Sequence, residues 1–186
     1  GCWTNHQNMF LGLSMAAGDF DGDGRCDLAA SSVTWSLFSN RGSVYLYRGM
    51  PMEGLWPGGI SPDPVAWYTP SPDTPQGGQF GRRITMGDVN GDGRADLLVG
   101  HFAADNENTN TGSAHLFLGH ESPELPDTNP IYANDADWTI NGNPHDHLGL
   151  DVQIGDVDGE PPLDIVVTTI FADAPDAQWD AGGIRV

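Results

Sequence analysis

Four aspartates, Asp19, Asp21, Asp23 and Asp27, crowd into the stretch GDFDGDGRCDLAA at residues 18–30. Carboxylates this close repel one another, so the stretch is either a solvated acidic turn or a cage for a hard cation. Recurrence separates the two readings. GDVNGDGRADLLVG at residues 87–100 repeats the spacing with Asp88, Asn90, Asp92 and Asp96, and GDVDGEPPLDIVV at residues 155–167 repeats it with Asp156, Asp158, Glu160 and Asp164. Acidic turns have no reason to keep one register three times; a cation cage does.

Side-chain oxygens at positions 1, 3, 5 and 9 of each loop, joined by the backbone carbonyl of position 7 (Arg25, Arg94 and Pro162), make an all-oxygen shell. Such a shell suits Ca2+ and not zinc or copper. The loop is not an EF-hand, whose twelfth residue is a bidentate Glu between helices: position 12 here is Ala30, Val99 or Val167, in strand-like flanks. Two of the loops are complete. The third is degenerate, because Pro161 replaces the glycine of position 6, where a left-handed backbone is often wanted, and Glu160 is one methylene longer than Asp.

Elements that could position such loops are legible on either side. The loops begin at residues 19, 88 and 156, spacings of 69 and 68 residues, which is the signature of a repeat architecture. A hydrophobic-Gly pair precedes each loop (Leu11-Gly12, Phe80-Gly81, Leu148-Gly149), and an apolar run follows it (Leu28-Ala29-Ala30, Leu97-Leu98-Val99, Ile165-Val166-Val167), reading as buried strands. A third strand is expected at residues 42–49 and 112–119, and it begins again at 182–186. A fourth carries a tryptophan, Trp67 or Trp138, with Trp3 in the matching place; recurrence at a strand position predicts core packing between sheets. About four strands per repeat is the content of a propeller blade. The expected division is the end of a preceding blade at 1–10, blades at 11–79 and 80–147, and an incomplete blade at 148–186.

These residues resemble the FG-GAP repeats, also called VCBS-like, of integrin alpha-subunit propellers and related bacterial extracellular proteins. Phe80-Gly81, the loop from Asp88 to Asp96 and the strand 112–119 carry the resemblance, which extends over nearly the whole chain. It implies an all-β fold of propeller blades, part of a larger or assembled propeller. It also implies calcium in the hairpin between first and second strands, an extracellular or cell-surface setting with the periplasm as the alternative, and ligands met on the face opposite the calcium loops. Trp35, Phe171 and Trp179 fall in the connections that the family places on that face and are the candidate ligand-binding residues.

Composition narrows the function further. A formal charge of −19, from 26 acidic and 7 basic residues, opposes nucleic acid and anionic membrane surfaces, and no apolar stretch is long enough for membrane insertion. Eleven of the acidic residues lie in the three loops, so bound cations would offset much of this charge. Cys2 and Cys26 are compatible with one disulfide without demanding it. No nucleophile with its base stands out, and His145-Asp146-His147 reads as polar residues of a turn, so an enzyme is not expected. The expected function is a calcium-stabilised binding, adhesion or structural module for a protein or glycan ligand. The alternatives are a carbohydrate-binding propeller and an accessory propeller of a hydrolase whose catalytic domain lies elsewhere. Self-association by strand or blade complementation is a further expectation, because three blades do not close a propeller.

Overall fold

The computed structural model describes residues 9–34, 41–51, 63–70, 78–104, 111–121, 130–170 and 183–185. These form an all-β fold of three sheets, with a single 3-10 turn at Ala133–Asp135. The first sheet holds β1 (Met9–Gly18), β2 (Asp27–Thr34), β3 (Ser43–Tyr47) and β4 (Ala66–Thr69). The second holds β5 (Phe80–Gly87), β6 (Asp96–His101), β7 (Ser113–Phe117) and, after β8 (Ile131–Tyr132), β9 (Trp138–Asn141). The third holds β10 (Val152–Gly155), β11 (Asp164–Thr169) and β12 (Gly183–Arg185). Within each sheet consecutive strands pair antiparallel, as the repeat pattern predicts.

β8 is the exception. It comes from the connection between β7 and β9, yet it pairs in parallel with β4, Tyr68 against Ile131 and Thr69 against Tyr132, as the fifth strand of the first sheet. The middle repeat thereby covers an edge that the first would otherwise leave open.

The sheets stand face to face in a row, with β1 beside β5 and β5 beside β10, and no closed propeller is formed among the described residues. Burial follows from this order. β6 is buried at every position because the middle sheet is covered on both faces: Leu97 and Val99 enter the core shared with the first sheet, and Leu98 enters the core shared with the third. Alternate side chains of one strand thus serve two interfaces, which is why Leu97-Leu98-Val99 reads as an unbroken apolar run. In β11 only Val167 and Thr169 are fully buried. On β2, Ser31 and Ser32, the counterparts of Thr168 and Thr169, are both buried.

The close approach of consecutive repeats explains one recurring glycine. Gly112 bridges to Leu148 at the start of the third repeat, and a Cβ on Gly112 would overlap the Leu148 backbone. Gly42 stands in the same relation to Phe80. The hydrophobic-Gly pair of one repeat is therefore a docking point for the third strand of the repeat before it.

The tryptophans do not behave as expected. Trp67 pairs across the sheet with Tyr45, whereas Trp138 pairs with Leu116, the counterpart of Leu46. The two indoles are one residue out of register and so lie on opposite sheet faces, 40% and 41% exposed: Trp138 lines a groove with Ile165 and Val167 of the third sheet, whereas Trp67 stands on the face away from the second sheet. Trp67 stacks on the Tyr45 ring at 6.2 Å. The interface position belongs instead to Tyr68, 1% exposed, whose ring meets Phe117 at 4.8 Å. Trp3 lies outside the described residues.

Candidate metal centre

Each acidic loop spans the hairpin from first to second strand: β1 to β2, β5 to β6 and β10 to β11. The position-9 aspartate opens the second strand and anchors the loop. Asp27 accepts the Phe20 N–H at 2.9 Å on Oδ2 and the Gly49 N–H at 2.8 Å on Oδ1. Asp96 repeats this with Val89 at 2.8 Å and Gly119 at 2.9 Å, and Asp164 accepts from Val157 at 2.8 Å. A backbone donor just after the third strand thus holds the first two loops onto their own sheets.

Position 1 curls the loop about itself. Asp19 accepts the Asp23 N–H at 3.0 Å and the Gly24 N–H at 2.8 Å, and Asp88 accepts Asp92 at 3.1 Å and Gly93 at 2.8 Å. In the third loop Asp156 accepts from Gly159 at 2.6 Å, but Pro161 at position 6 has no N–H to give. Gly159 at position 4 keeps φ at +86°, so that half of the turn survives.

Carboxylate oxygens converge in two of the loops. One oxygen each from Asp19, Asp21 and Asp27 lie within 4.8 Å of one another, and those of Asp156, Asp158 and Asp164 do the same. Oxygens across a Ca2+ shell, each about 2.3–2.6 Å from the ion, stand at about that separation. The same three places in the second loop are Asp88, Asn90 and Asp96, two acids and an amide. The degenerate third loop therefore keeps its trio, with Asp156 and Asp158 exposed and Asp164 half-buried.

Position 5 departs from the expected cage. Asp23 pairs with Arg25, and Asp92 pairs with Arg94 at 3.4 Å, with Arg94 also reaching Glu121 at 2.9 Å. Glu160 is exposed and gives its N–H to Asp158 at 2.9 Å. Pro162, expected to offer its carbonyl, is exposed. Alternation along the loop could not show that the arginine of position 7 folds back on the carboxylate of position 5.

The electrostatics favour a cation. Burial, and then the charge of Asp21, push the Asp27 carboxyl above its ordinary value against the N–H donors that hold it down. Burial and the charges of Asp92 and Asp88 do the same to Asp96. In Asp92 the Arg94 N–H dominates and lowers the carboxyl. A divalent ion among these oxygens would relieve desolvation and repulsion together, and the all-oxygen donor set fits Ca2+.

Loops one and two touch. The Ala95 N–H of the second donates to the Asp19 carbonyl of the first at 2.8 Å, and Gly22 of the first lies against the Arg94 side chain of the second.

The other candidates resolve simply. Asp146 is buried and accepts the backbone N–H and side-chain amide of Asn143 at 2.8 and 3.0 Å, and the His147 ring lies 5.0 Å from that of Phe102. This cluster closes a turn. Trp35, Phe171 and Trp179 lie outside the described residues; β2 ends at Thr34, at the end of the sheet away from the acidic loop. Cys26 pairs with no other described cysteine, and Cys2 is outside the described residues.

Consecutive antiparallel sheets of one pattern, each with an acidic first hairpin, define a repeat protein built of β-propeller blades. Residues 19–99 match the FG-GAP-like repeat, and this stretch belongs to that family. It is 30% identical to mouse (Mus musculus) integrin alpha-IIb over 125 residues, covering 64% of this chain and 11% of that protein. It is 32% identical to the phosphatidylinositol-glycan-specific phospholipase D of the same species over 134 residues, 71% of this chain and 15% of that protein. The bovine (Bos taurus) phospholipase D is 28% identical over 165 residues, 87% of this chain and 19% of the relative. The chain thus spans less than a fifth of the length of these relatives.

Proposed function

We propose that this chain is a calcium-stabilised, extracellular β-propeller module whose role is binding, adhesion or scaffolding and not catalysis. The observation that carries the reading is the convergence of Asp19, Asp21 and Asp27 at the hairpin of a blade. Bound Ca2+ would be held by these oxygens and their counterparts in the other loops, and it supplies the charge that lets each hairpin close. The same repeats occur in a protein named an integrin subunit and in proteins named phospholipases, so they accompany dissimilar activities, as a scaffold does. Likeness to proteins named an integrin and a phosphatidylinositol-glycan-specific phospholipase D supports the extracellular setting; no described helix is long and apolar enough to cross a membrane.

The phospholipase relatives favour one second reading, an accessory propeller attached to a hydrolase. In either case a protein or glycan ligand meets the face opposite the loops, through Trp35, Phe171 and Trp179, and copies associate through uncovered blade faces.

Thermal unfolding tests the calcium role. A ligand that binds only the folded chain raises its midpoint, so removing calcium with EDTA at low ionic strength should lower it and excess CaCl2 should restore it. An unchanged midpoint would falsify the reading.

A further inference from the structure

Arg48 follows directly on β3, and its Nε lies 2.8 Å from Asp21 Oδ2. The Asp21 side chain is only 7% exposed and that of Arg48 34%, so water reaches the pair from the arginine side alone. The next residue, Gly49, gives its N–H to Asp27, so residues 48–49 grip two of the three converging carboxylates. The second repeat keeps the backbone half of this grip, Gly119 to Asp96, and lacks the ionic half. Leu118 stands in the place of Arg48, and Asn90 in the place of Asp21. Both members of the pair differ together, while the carboxylate–arginine pair of positions 5 and 7 is common to the two loops.

We propose that Arg48 sets the calcium affinity of the first loop by cancelling the charge of Asp21. With Arg25 and Arg94 counted, four carboxylates and two guanidiniums in the first loop then present the same net charge of −2 as the three carboxylates and one guanidinium of the second. Ligand charge is a principal lever on Ca2+ affinity. Arg48 is a positioning residue: it touches Asp21, holds one of its oxygens in the metal-free loop and repels the incoming ion. The inference rests on the calcium reading above.

Calorimetric calcium titration of the whole chain tests it, in an Asp88→Asn/Asp156→Asn background that weakens the other two loops. Arg48→Leu should bind calcium about tenfold more tightly, Asp21→Asn about tenfold more weakly, and the double variant, which recreates the second loop's pair, within about threefold of the unaltered first loop. Arg48→Lys, which keeps the charge, should also stay within about threefold. Melting in saturating calcium checks that each variant folds, and Arg48→Gln replaces Arg48→Leu if the latter does not. An Arg48→Leu loop that binds no more tightly than the parent overturns the proposal, as does a double variant no different from Asp21→Asn alone. A parent chain that binds no calcium overturns the calcium reading and this inference with it, whereas calcium binding indifferent to Arg48 overturns the inference alone.

Discussion

Gly22 has φ +74°, and a Cβ there would stand 3.0 Å from Arg94 Nε of the neighbouring loop. Gly91 holds the same place in the second loop at φ +77° with open space around it. Alanine at either site carries the left-handed backbone cost of about 1–2 kcal/mol, but only at Gly22 does it also displace a neighbour. Gly22→Ala should therefore lower the melting midpoint more than Gly91→Ala, and equal shifts would mean that the contact between loops carries no weight. Pro161 is the complementary case. Asp156 lacks the position-6 N–H that Asp19 and Asp88 receive, so Pro161→Gly should tighten calcium binding at the third loop, read by calorimetry. No change would show that the exposed position of this loop, and not the missing donor, limits it.

At the scale of the strand, two pairs of side chains distinguish interface from surface. Tyr68 on β4 is 1% exposed and its hydroxyl has no hydrogen-bond partner among the described residues, while Trp67 beside it faces solvent at 40% exposure. Tyr68→Ala should cost about 3–5 kcal/mol and Trp67→Ala about 1 kcal/mol in chemical denaturation, whereas Tyr68→Phe, which removes an unpaired buried hydroxyl, should be neutral or stabilising. A larger loss at Trp67 would place the interface on the other face. On β6 and β7, His101 and His115 are buried with rings 5.6 Å apart against Phe80. Burial, and for His101 the neighbouring His115, lower their pKa values to about 3 and about 4 from 6.5. Between those values and 6.5 the unfolded chain binds the protons and the folded chain does not. Stability therefore falls as pH falls through that window, by at most about 1.4 kcal/mol per pH unit for each histidine. His101→Phe should flatten the slope of stability between pH 6.5 and 4.5; an unaltered slope would mean that burial of a neutral His101 does not contribute to it.

For the whole molecule, a row of sheets leaves apolar side chains where a further blade would pack. Leu11, Leu13 and Met15 along β1 are 57%, 45% and 63% exposed. Patches of this kind mark association surfaces. Light scattering at micromolar concentration should show self-association, and the double variant Leu11→Glu/Met15→Glu should reduce the mass. A monodisperse monomer throughout the concentration range would count against complementation between copies.

The amino-acid order alone carried the three loops, their register and the first three strands of each repeat. These depend on short-range chemistry: glycine-rich turns, a fixed ligand spacing and apolar runs bounded by turns. The continuous run Leu97-Leu98-Val99 likewise announced a buried strand, which the packing of the sheets covers on both faces. Other features depended on contacts between residues far apart in the chain. Matching tryptophans by type placed Trp67 and Trp138 together, but strand register, set by pairing with Tyr45 and Leu116, puts them on opposite faces. The crossing of β8 to β4 and the approach of Arg48 to Asp21 join residues 63 and 27 positions apart, and no local pattern encodes them. Period and spacing are written residue by residue, whereas which charge meets which, and which face is covered, were decided only when the sheets packed.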